Sequence, residues 1–335
     1  MNLTTLCYIE KDGQYLMLHR IKKKKDVNQH KWIGVGGHFE LGESPEEWLL
    51  REVKEETGLT LLSWKFRGLI TFQSKGWGTE YMCLYTADEY LGEPTACNEG
   101  VLEWIPKEEV LDLNIWEGDK LFFKLLNEDA PFFSMKLSYD GDRLVYADLN
   151  GRQLELLDVL DEEGNPTGVA RERSLVHRGG DLHRTCHIWV AREHEGKWEV
   201  LLQKRSGDKD SYPGCYDCSA AGHVQAGGAF LDGAVRELAE ELGIQASPEQ
   251  LKEICQRRED SEHMFHGAPF KNREITTVYL YLFDKEKDQI HIQKEEIESV
   301  RWMELSRCME IAENSELPNC LEAEELEKVG EALRK

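Results

Sequence analysis

The sequence contains no long apolar run and no recognisable leader. No stretch approaches the roughly 18 consecutive apolar residues that a transmembrane helix needs. The opening residues, MNLTTLCYIEKDG, do not place a basic segment before an apolar one, as a secretory leader would. We therefore expect a cytoplasmic protein with no membrane partner.

Cysteine is too scattered to build a disulfide framework, and positive charge is scarce. The nine cysteines are an odd number spread over 335 residues, which predicts reduced thiols. There are 41 Lys and Arg against 64 Asp and Glu, a formal net charge of -23. Such a chain repels the phosphate backbone, so we expect no polymeric nucleic acid as a partner. A small anionic substrate is compatible with this charge if a metal cation screens it.

An internal repeat is the main positive feature. GGHFELGESPEEWLLREVKEETGL, which begins at Gly36, returns as AGHVQAGGAFLDGAVRELAEELGI 185 residues further along the chain. This period and the total length predict two whole domains rather than a repeat array. We place the domains at residues 1–149 and 150–315, with a helical tail over residues 316–335.

The first copy of the repeat predicts a helix over residues 45–57. Ser44 suits the N-cap, Pro45 the first helical position and Glu47 the third, a combination known as a capping box. Gly58 suits the residue that ends the helix. The helix therefore has a defined start and a defined end.

Three carboxylates of this helix, Glu52, Glu55 and Glu56, are spaced at i, i+3 and i+4 and fall on one face. Like charges so placed repel one another, and a bound cation would remove the repulsion. Carboxylate oxygens are the ligands that Mg²⁺ prefers, and Mn²⁺ accepts them too. The alternative is a solvated acidic face, which is the usual meaning of an isolated ExxEE.

The residues around the three carboxylates make the pattern far more specific. The chain fits GX5EX7REUXEEXGU, where U is a bulky aliphatic residue, at all nine positions: Gly37, Glu43, Arg51, Glu52, Val53, Glu55, Glu56, Gly58 and Leu59. This is the Nudix signature, so the chain resembles the Nudix hydrolases. The resemblance implies α/β/α sandwiches, each with a mixed sheet and a loop–helix–loop box. It also implies metal-dependent hydrolysis of a nucleoside diphosphate linked to another group.

The resemblance assigns roles to the residues of the box. Glu52, Glu55 and Glu56 would bind the metal, and Glu55, Glu56 and Arg51 count among the catalytic residues. Arg51 and Glu43 would form a supporting ion pair. Gly36 and Gly37 would let the backbone approach the substrate phosphates closely.

A carboxylate outside the box is a candidate to accept the proton of the attacking water. Glu99, in the acidic turn CNEG, is that candidate; the alternative is an ordinary turn carboxylate. Lysines at residues 22–25 would contact phosphates or form a solvated loop.

Residues 3–146 resemble, more narrowly, the MutT-like 8-oxo-dGTP diphosphatases through KWIGVGG, NEGVLEW and NIWEGDKLFFKLL. The resemblance implies cleavage of oxidised purine nucleoside triphosphates to monophosphate and pyrophosphate. Trp116 would stack on the base and Asp119 would bond its edge, although a core position is the alternative for Trp116. The segment is also similar, more distantly, to the eukaryotic oxidised-purine triphosphatases. Those enzymes have an Asn in place of Ile33 and an acid in place of Gly118, which puts the oxidised-base preference in doubt.

The second box matches the signature at eight of nine positions. Gly228 replaces the first Glu and removes the expected partner of Arg236. The three metal positions are retained by Glu237, Glu240 and Glu241, of which Glu240 and Glu241 would also be catalytic. We therefore predict a second diphosphatase of unknown substrate. The alternative is a non-catalytic module that binds or senses a ligand.

Residues 155–305 resemble the Nudix branch that includes isopentenyl-diphosphate isomerase. Ala220 and Ala221 stand where that enzyme has its catalytic Cys, so we do not expect isomerase chemistry. The isomerase binds an additional metal through three histidines, which a group in this chain partly echoes; satisfied structural histidines are the alternative. That group is His177, His183 and His223. Glu296, in the acidic turn before Trp302, is a candidate outer metal ligand or base.

Overall fold

The computed structural model describes residues 2–22, 26–209, 211–265, 267–314 and 316–334. It divides into two compact units, unit 1 (Met1–Leu156 with Val169–Glu172) and unit 2 (Leu157–Gly168 with Arg173–Lys335). The boundary expected at residues 149 and 150 falls inside unit 1. Residues 23–25 of the lysine run lie outside the described residues. Among the described helices, none is long and apolar enough to cross a membrane.

Unit 1 is built on one mixed sheet. Its strands run in the order β3-β2-β1-β5-β4-β7-β8-β9, with β6 beside β2. The β1–β5 and β4–β7 pairs are parallel and the other pairs are antiparallel. The elements are β1 Asn2–Lys11, β2 Gln14–His19, β3 Trp32–Ile33, α1 Pro45–Thr57, β4 Thr60–Ser74, β5 Gly78–Leu91, β6 Val101–Pro106, α2 Asp119–Asn127, β7 Phe133–Asp140, β8 Arg143–Leu149 and β9 Arg152–Gln153.

The two helices of unit 1 cover opposite faces of the sheet. Alternate residues of a strand point to opposite faces. On β1, Cys7 packs in the cluster that contains Leu49 and Val53 of α1. Its neighbour Tyr8 instead lies 4.7 Å, centroid to centroid, from Phe123 of α2. The predicted α/β/α arrangement is therefore confirmed for unit 1.

Helix α1 begins and ends where the sequence predicts. The Ser44 hydroxyl accepts a hydrogen bond from the Glu47 N–H, and the Glu47 carboxylate accepts one from the Ser44 N–H. At the other end, Gly58 adopts the left-handed conformation, with φ of 76°. This conformation suits glycine because it has no Cβ. Because both ends of the helix are fixed, the positions of its carboxylates relative to the preceding loop are fixed as well.

Unit 2 repeats the arrangement with a second mixed sheet. The strand order is β14-β13-β12-β17-β16, with β15 beside β12 and β18 beside β13. Strands β12 and β17 are parallel. The elements from the boundary onward are β10 Leu156–Leu160, β11 Pro166–Glu172, α3 Arg173–Gly179, β12 His183–His194, β13 Lys197–Arg205, β14 Tyr216–Asp217, β15 Ala220–His223, α4 Phe230–Leu242, β16 Leu251–Phe265, β17 Ala268–Leu282, β18 Ile297–Glu304, α5 Leu305–Asn314 and α6 Ala323–Leu333.

Helices also cover both faces of the second sheet. Ile188 of β12 packs in one cluster with Leu238 of α4. Trp189, on the other face of β12, packs in a second cluster with Ile311 of α5 and Val329 of α6. The expected helical tail therefore contributes to the core of unit 2, and the α/β/α prediction is confirmed for this unit as well.

A buried ionic network anchors α6 to the second sheet. The Glu325 carboxylate accepts hydrogen bonds from His187 Nδ1 at 3.1 Å and Trp189 Nε1 at 2.6 Å, and it pairs with Arg257 Nε at 2.9 Å. Burial by itself would lower the pKa of His187, but Glu325 outweighs burial and raises it to about 9. Burial would likewise raise the pKa of Glu325, but His187 and Arg257 lower it to about 2.

We expect Glu325→Ala to lower the free energy of unfolding by about 3–5 kcal/mol, because it leaves the buried His187 imidazolium without its carboxylate and removes one of the two carboxylates that pair with Arg257. The raised pKa of His187 stabilises the fold below its ordinary value near 6.5, and this contribution is lost as the pH rises through about 9. Guanidinium unfolding at pH 6.5 and pH 10 tests both statements. Wild type should lose more stability than Glu325→Ala between these pH values.

The matched control is Glu324→Ala, which removes an exposed carboxylate from the same helix. This variant should change stability by less than about 0.5 kcal/mol. Equal losses in the two variants would show that the helix, and not the buried pair, is responsible.

Candidate active sites

The first box brings its glycines and glutamates into direct contact. The Glu52 carboxylate lies against Gly37 so closely that a Cβ on Gly37 would overlap it. One turn later, the Glu56 carboxylate accepts a hydrogen bond of 3.0 Å from the N–H of Gly36. The loop and the helix are therefore joined through two of the three predicted metal ligands. The third, Glu55, has 62% of its side chain exposed.

Gly36 has a second reason to be glycine. Its φ is 158°, and a Cβ at this position would overlap the carbonyl oxygen of Thr5 on β1. The loop is hydrogen bonded to the same strand on both sides of Gly36, from Thr5 N to Gly37 O at 3.1 Å and from Cys7 N to Val35 O at 2.7 Å. The predicted reason for these glycines was access for phosphates; the contacts add close packing against β1 and α1.

The predicted ion pair between Arg51 and Glu43 is present. Arg51 donates two hydrogen bonds to the two oxygens of Glu43, of 2.8 and 2.9 Å, in the bidentate geometry that suits a guanidinium and a carboxylate. The same side chain donates to Glu52 at 2.7 Å and to Glu55 at 3.4 Å. Arg51 therefore offsets part of the repulsion among the carboxylates of α1.

The second box reproduces these contacts. A Cβ on Gly222 would overlap the Glu237 carboxylate. Glu241 accepts a hydrogen bond of 3.1 Å from the N–H of Ala221. Glu240 has 54% of its side chain exposed and lies 2.9 Å from Arg236. The three carboxylates thus occupy the same positions relative to their loop as those of the first box.

Replacement of the first Glu by Gly228 changes only the support of Arg236. This guanidinium donates 2.9 Å hydrogen bonds to the carbonyl oxygen of His223 and to Glu240. It also pairs with Glu237 at 2.6 Å. The backbone oxygen takes the place of the missing carboxylate, and the second box keeps the same contacts between loop and helix.

Lys209 is a residue of the second site that the sequence analysis did not identify. It forms an ion pair with Glu296, the carboxylate of the second acidic turn. Burial raises the pKa of Glu241 to about 7, an effect that the nearby Lys209 ammonium opposes. A lysine in a loop gives no signal in the sequence, because its approach to the box depends on how that loop folds back.

The acidic turn of unit 1 also lies beside its box. Arg20 pairs with Glu99 and, at 2.6 Å, with Asp26. Thr95, which precedes this turn, donates its N–H to the carbonyl oxygen of Thr57 at the end of α1, at 2.8 Å. Glu99 is thus held by a guanidinium in a turn whose approach contacts the box helix.

Trp116 and Asp119, expected to contact the base, are both buried. The Trp116 side chain is 4% exposed, its Nε1 donates to Asn28 at 2.8 Å, and Lys31 Nζ lies 4.1 Å from the ring centroid. Asp119 is also 4% exposed, and burial raises its pKa to about 8. These contacts favour the core alternative for Trp116. Base stacking on this ring stays a prediction and would require Lys31 to move.

The three histidines of unit 2 come together. Their candidate ligand atoms lie within 4.8 Å of one another. Nδ1 of His183 is 2.9 Å from the Asp181 carbonyl oxygen, and because a carbonyl only accepts, this nitrogen donates. Nδ1 of His177 contacts a second carbonyl at 3.4 Å, while its Nε2 is 3.2 Å from Nε2 of His223. The Nε2 atoms therefore converge, which is an arrangement that suits a metal.

The sequence analysis missed one member of this group. Glu274 of β17 lies 3.6 Å from Nε2 of His183, a buried nitrogen without a hydrogen-bond partner among the described residues. Because β12 and β17 are parallel, His183 and Glu274 are register partners although they lie far apart in the chain. No spacing rule connects them in the sequence.

No cysteine among the described residues is placed as a nucleophile at the second box. All nine are free. Cys218, the nearest in sequence to the second box, is 1% exposed and donates to the Ala220 carbonyl at 3.3 Å. Burial raises its pKa well above the ordinary value. The absence of isomerase chemistry remains the expectation.

Two α/β/α units, each with three carboxylates on one helix and two of them in contact with the preceding loop, fit a hydrolase of phosphoanhydrides. The sequence pattern of the NUDIX domain family matches residues 3–126 and 181–322. The chain therefore belongs to the NUDIX family, and it is a tandem Nudix hydrolase. Enzymes of this family hydrolyse diphosphate-linked substrates with the help of a divalent metal.

Several known proteins are similar in sequence to part of this chain. Nudix hydrolase 3 of Arabidopsis thaliana is 40% identical over 151 residues, which cover 44% of this chain and 19% of that protein. An oxidized purine nucleoside triphosphate hydrolase of Danio rerio is 33% identical over 132 residues, 39% of this chain and 82% of the relative. Isopentenyl-diphosphate Delta-isomerase 2 of Photorhabdus laumondii is 29% identical over 164 residues, 48% of this chain and 84% of the relative. This chain thus spans less than a fifth of the Arabidopsis protein.

We expect Gly228→Glu to stabilise unit 2 by about 1 kcal/mol, because it supplies a carboxylate for Arg236 and restricts the unfolded chain. A Cβ at Gly228 would lie 3.1 Å from the Gln225 carbonyl oxygen, a tight contact that a backbone shift of a few tenths of an ångström would relieve. Glu43→Gln should destabilise unit 1 by a similar amount. Urea unfolding of both variants measures the two changes.

Gly228→Gln is the control, because it restricts the chain equally without adding the charge. If Gly228→Glu is no more stable than Gly228→Gln, Arg236 gains nothing from a carboxylate at this position.

Proposed function

We propose that unit 1 hydrolyses purine nucleoside triphosphates, oxidised ones included, to the monophosphate and pyrophosphate. The observation that carries the proposal is the packing of Glu52 and Glu56 against Gly37 and Gly36, which holds two helix carboxylates directly against the backbone of the preceding loop. The similarity to the Danio rerio hydrolase supports the choice of substrate.

The donor set fits a divalent cation that prefers oxygen, such as Mg²⁺ or Mn²⁺. Glu52, Glu55 and Glu56 would hold it in unit 1, and Glu237, Glu240 and Glu241 in unit 2. When bound, such a cation neutralises phosphate charge and lowers the pKa of a coordinated water. Its presence would also remove the mutual repulsion of three carboxylates on one helix face.

The chain's own residues then have distinct tasks. Gly36 and Gly37 let the loop pack directly against β1 and against the carboxylates of α1, which brings the loop backbone close to the proposed phosphate position. Arg51 fixes the positions of Glu52 and Glu55 through hydrogen bonds of 2.7 and 3.4 Å. Glu99, which forms an ion pair with Arg20, is the proposed acceptor of the proton from water.

For unit 2 we propose a second diphosphatase. All three carboxylates have the same relation to their loop as in unit 1, although Gly228 has replaced a glutamate. The alternative, a module that binds a phosphorylated ligand without cleaving it, is favoured by the Lys209–Glu296 ion pair, which engages the carboxylate of the second acidic turn.

Glu55→Gln and Glu240→Gln separate the two activities. With Mg²⁺ and either dGTP or 8-oxo-dGTP, Glu55→Gln should lower kcat on the order of a hundredfold or more, and Glu240→Gln should leave it unchanged. Pyrophosphate release measures the rate. Equal activity in wild type and Glu55→Gln, or no triphosphate cleavage by wild type, would contradict the proposal for unit 1.

A panel of nucleoside-diphosphate sugars and dinucleotides tests unit 2 in the same two variants. An activity lost only in Glu240→Gln would support the second diphosphatase. If Glu240→Gln loses no activity on the panel, the binding-module alternative is favoured.

We further propose that His177, His183 and His223, with Glu274, hold a separate divalent metal in unit 2. Three imidazoles and one carboxylate suit Zn²⁺ and similar ions better than Mg²⁺. Zinc content after dialysis is the test. His223→Ala should lose one equivalent, and His194→Ala, at the exposed end of β12, should lose none. Unchanged zinc in His223→Ala would refute this site.

A further inference from the structure

A cavity of about 260 Å³ opens in unit 1 beside the first box. His38, which directly follows Gly37, forms one wall. Arg20, which pairs with Glu99, forms another. The lining also includes Asn2, Asp26, Phe72, Trp77 and Glu80. The cavity is thus continuous with the loop at which the substrate phosphates are proposed to bind, and Trp116 is not among its lining residues.

Trp77 is the most exposed aromatic side chain of this lining, at 58%. It occupies a three-residue turn between β4 and β5, since Ser74 and Gly78 are register partners. The glycines on either side have φ of 95° and 91°, and a Cβ on Gly76 or Gly78 would meet no atom within 4 Å. Conformation, not crowding, therefore requires glycine here. The turn holds an indole at the rim of the cavity, where nothing in the described residues packs over it as Lys31 packs over Trp116.

The floor of the cavity combines an aromatic ring with a carboxylate. Glu80 is the register partner of Asn2 on β1 and of Phe72 on β4, so the three side chains lie side by side on one face of the sheet. Phe72 also packs edge-on against Trp116, at 5.2 Å between centroids. The floor is therefore continuous with the core.

The charge of the cavity determines which part of a nucleotide fits it. The Glu80 carboxylate only accepts hydrogen bonds and repels phosphate. Arg20, the cation of the lining, already pairs with Asp26 and Glu99. An uncharged base that offers donors is therefore the complementary group. Guanine offers two adjacent donors, N1–H and the N2 amino group, whereas adenine has no N2 amino group and an unprotonated N1.

We propose that this cavity binds a guanine-type base, with Trp77 stacked on the ring and Glu80 accepting from N1–H and the N2 amino group. The inference rests on the proposed function of unit 1 and deepens it, because it names the base and the two residues that select it. It also transfers the stacking task, predicted for Trp116, to an aromatic side chain that is accessible. 8-Oxoguanine retains both donors, so oxidised and ordinary guanine nucleotides share these contacts.

The test compares Trp77→Ala, Trp77→Phe and Glu80→Gln in the full chain. Loss of a base–aromatic stack weakens binding roughly 5- to 150-fold, so Trp77→Ala should raise KM for dGTP within that range, and Trp77→Phe should restore most of it. Glu80→Gln should raise KM for dGTP on the order of tenfold and leave KM for dATP within twofold. Calorimetric titration with the product dGMP, without metal, provides a readout that does not depend on catalysis.

Two controls match these variants. Trp64→Ala removes a partly exposed tryptophan of β4, and Glu89→Gln removes an exposed carboxylate of β5; neither residue lines the cavity. Both should leave KM and dGMP affinity unchanged.

Failure of the inference can be distinguished from failure of the proposed function. If wild type cleaves dGTP and Glu55→Gln does not, but Trp77→Ala and Glu80→Gln keep the wild-type KM and dGMP affinity, the cavity assignment is wrong and the hydrolase stands. If Glu80→Gln raises KM for dATP as much as KM for dGTP, the choice of guanine is wrong. If wild type neither cleaves triphosphates nor binds dGMP, both proposals fail.

Discussion

The contact between a glycine of the loop and a glutamate of the following helix governs the geometry of both sites. Gly37 meets Glu52 and Gly222 meets Glu237 at a distance that no side chain on the glycine would permit. The central strand, β1 or β12, fixes the loop through backbone hydrogen bonds, and apolar residues of α1 or α4 fix the helix on the sheet. The carboxylates are consequently held in place before any cation or substrate arrives.

Holding the carboxylates in place also keeps their negative charges close together, and the two units offset this repulsion differently. Each helix carries three close carboxylates that repel one another. In unit 1, Arg51 is itself oriented by the bidentate contact with Glu43. In unit 2, Arg236 is oriented by a backbone oxygen, and Lys209 approaches from a loop. The box geometry thus tolerates the loss of a signature residue, because backbone and distant side chains can take over its task.

Trp116 and Asp119 show why residue roles inferred from a family resemblance are less reliable outside the box than inside it. Box residues are bound to one another locally, so their spacing determines their contacts. Trp116 instead depends on what fills the space over its ring, and here Lys31 fills it. Asp119 is likewise enclosed, with a pKa raised by burial. A residue type at a family position does not ensure the same exposure, since neighbours from other strands decide it.

Local patterns in the sequence were enough to determine the helix that carries the first carboxylates, its capping box and its glycine stop, and the internal repeat was enough to indicate two domains. The Arg51–Glu43 pair and the α/β/α fold followed from the resemblance to the Nudix hydrolases. The tertiary structure alone decided the partner of Arg236, the approach of Lys209 to Glu241, the pairing of His183 with Glu274 and the cavity beneath Trp77. These contacts join residues from separate strands and loops, and strand register, which sets them, is fixed by the packing of the whole sheet rather than by any local spacing.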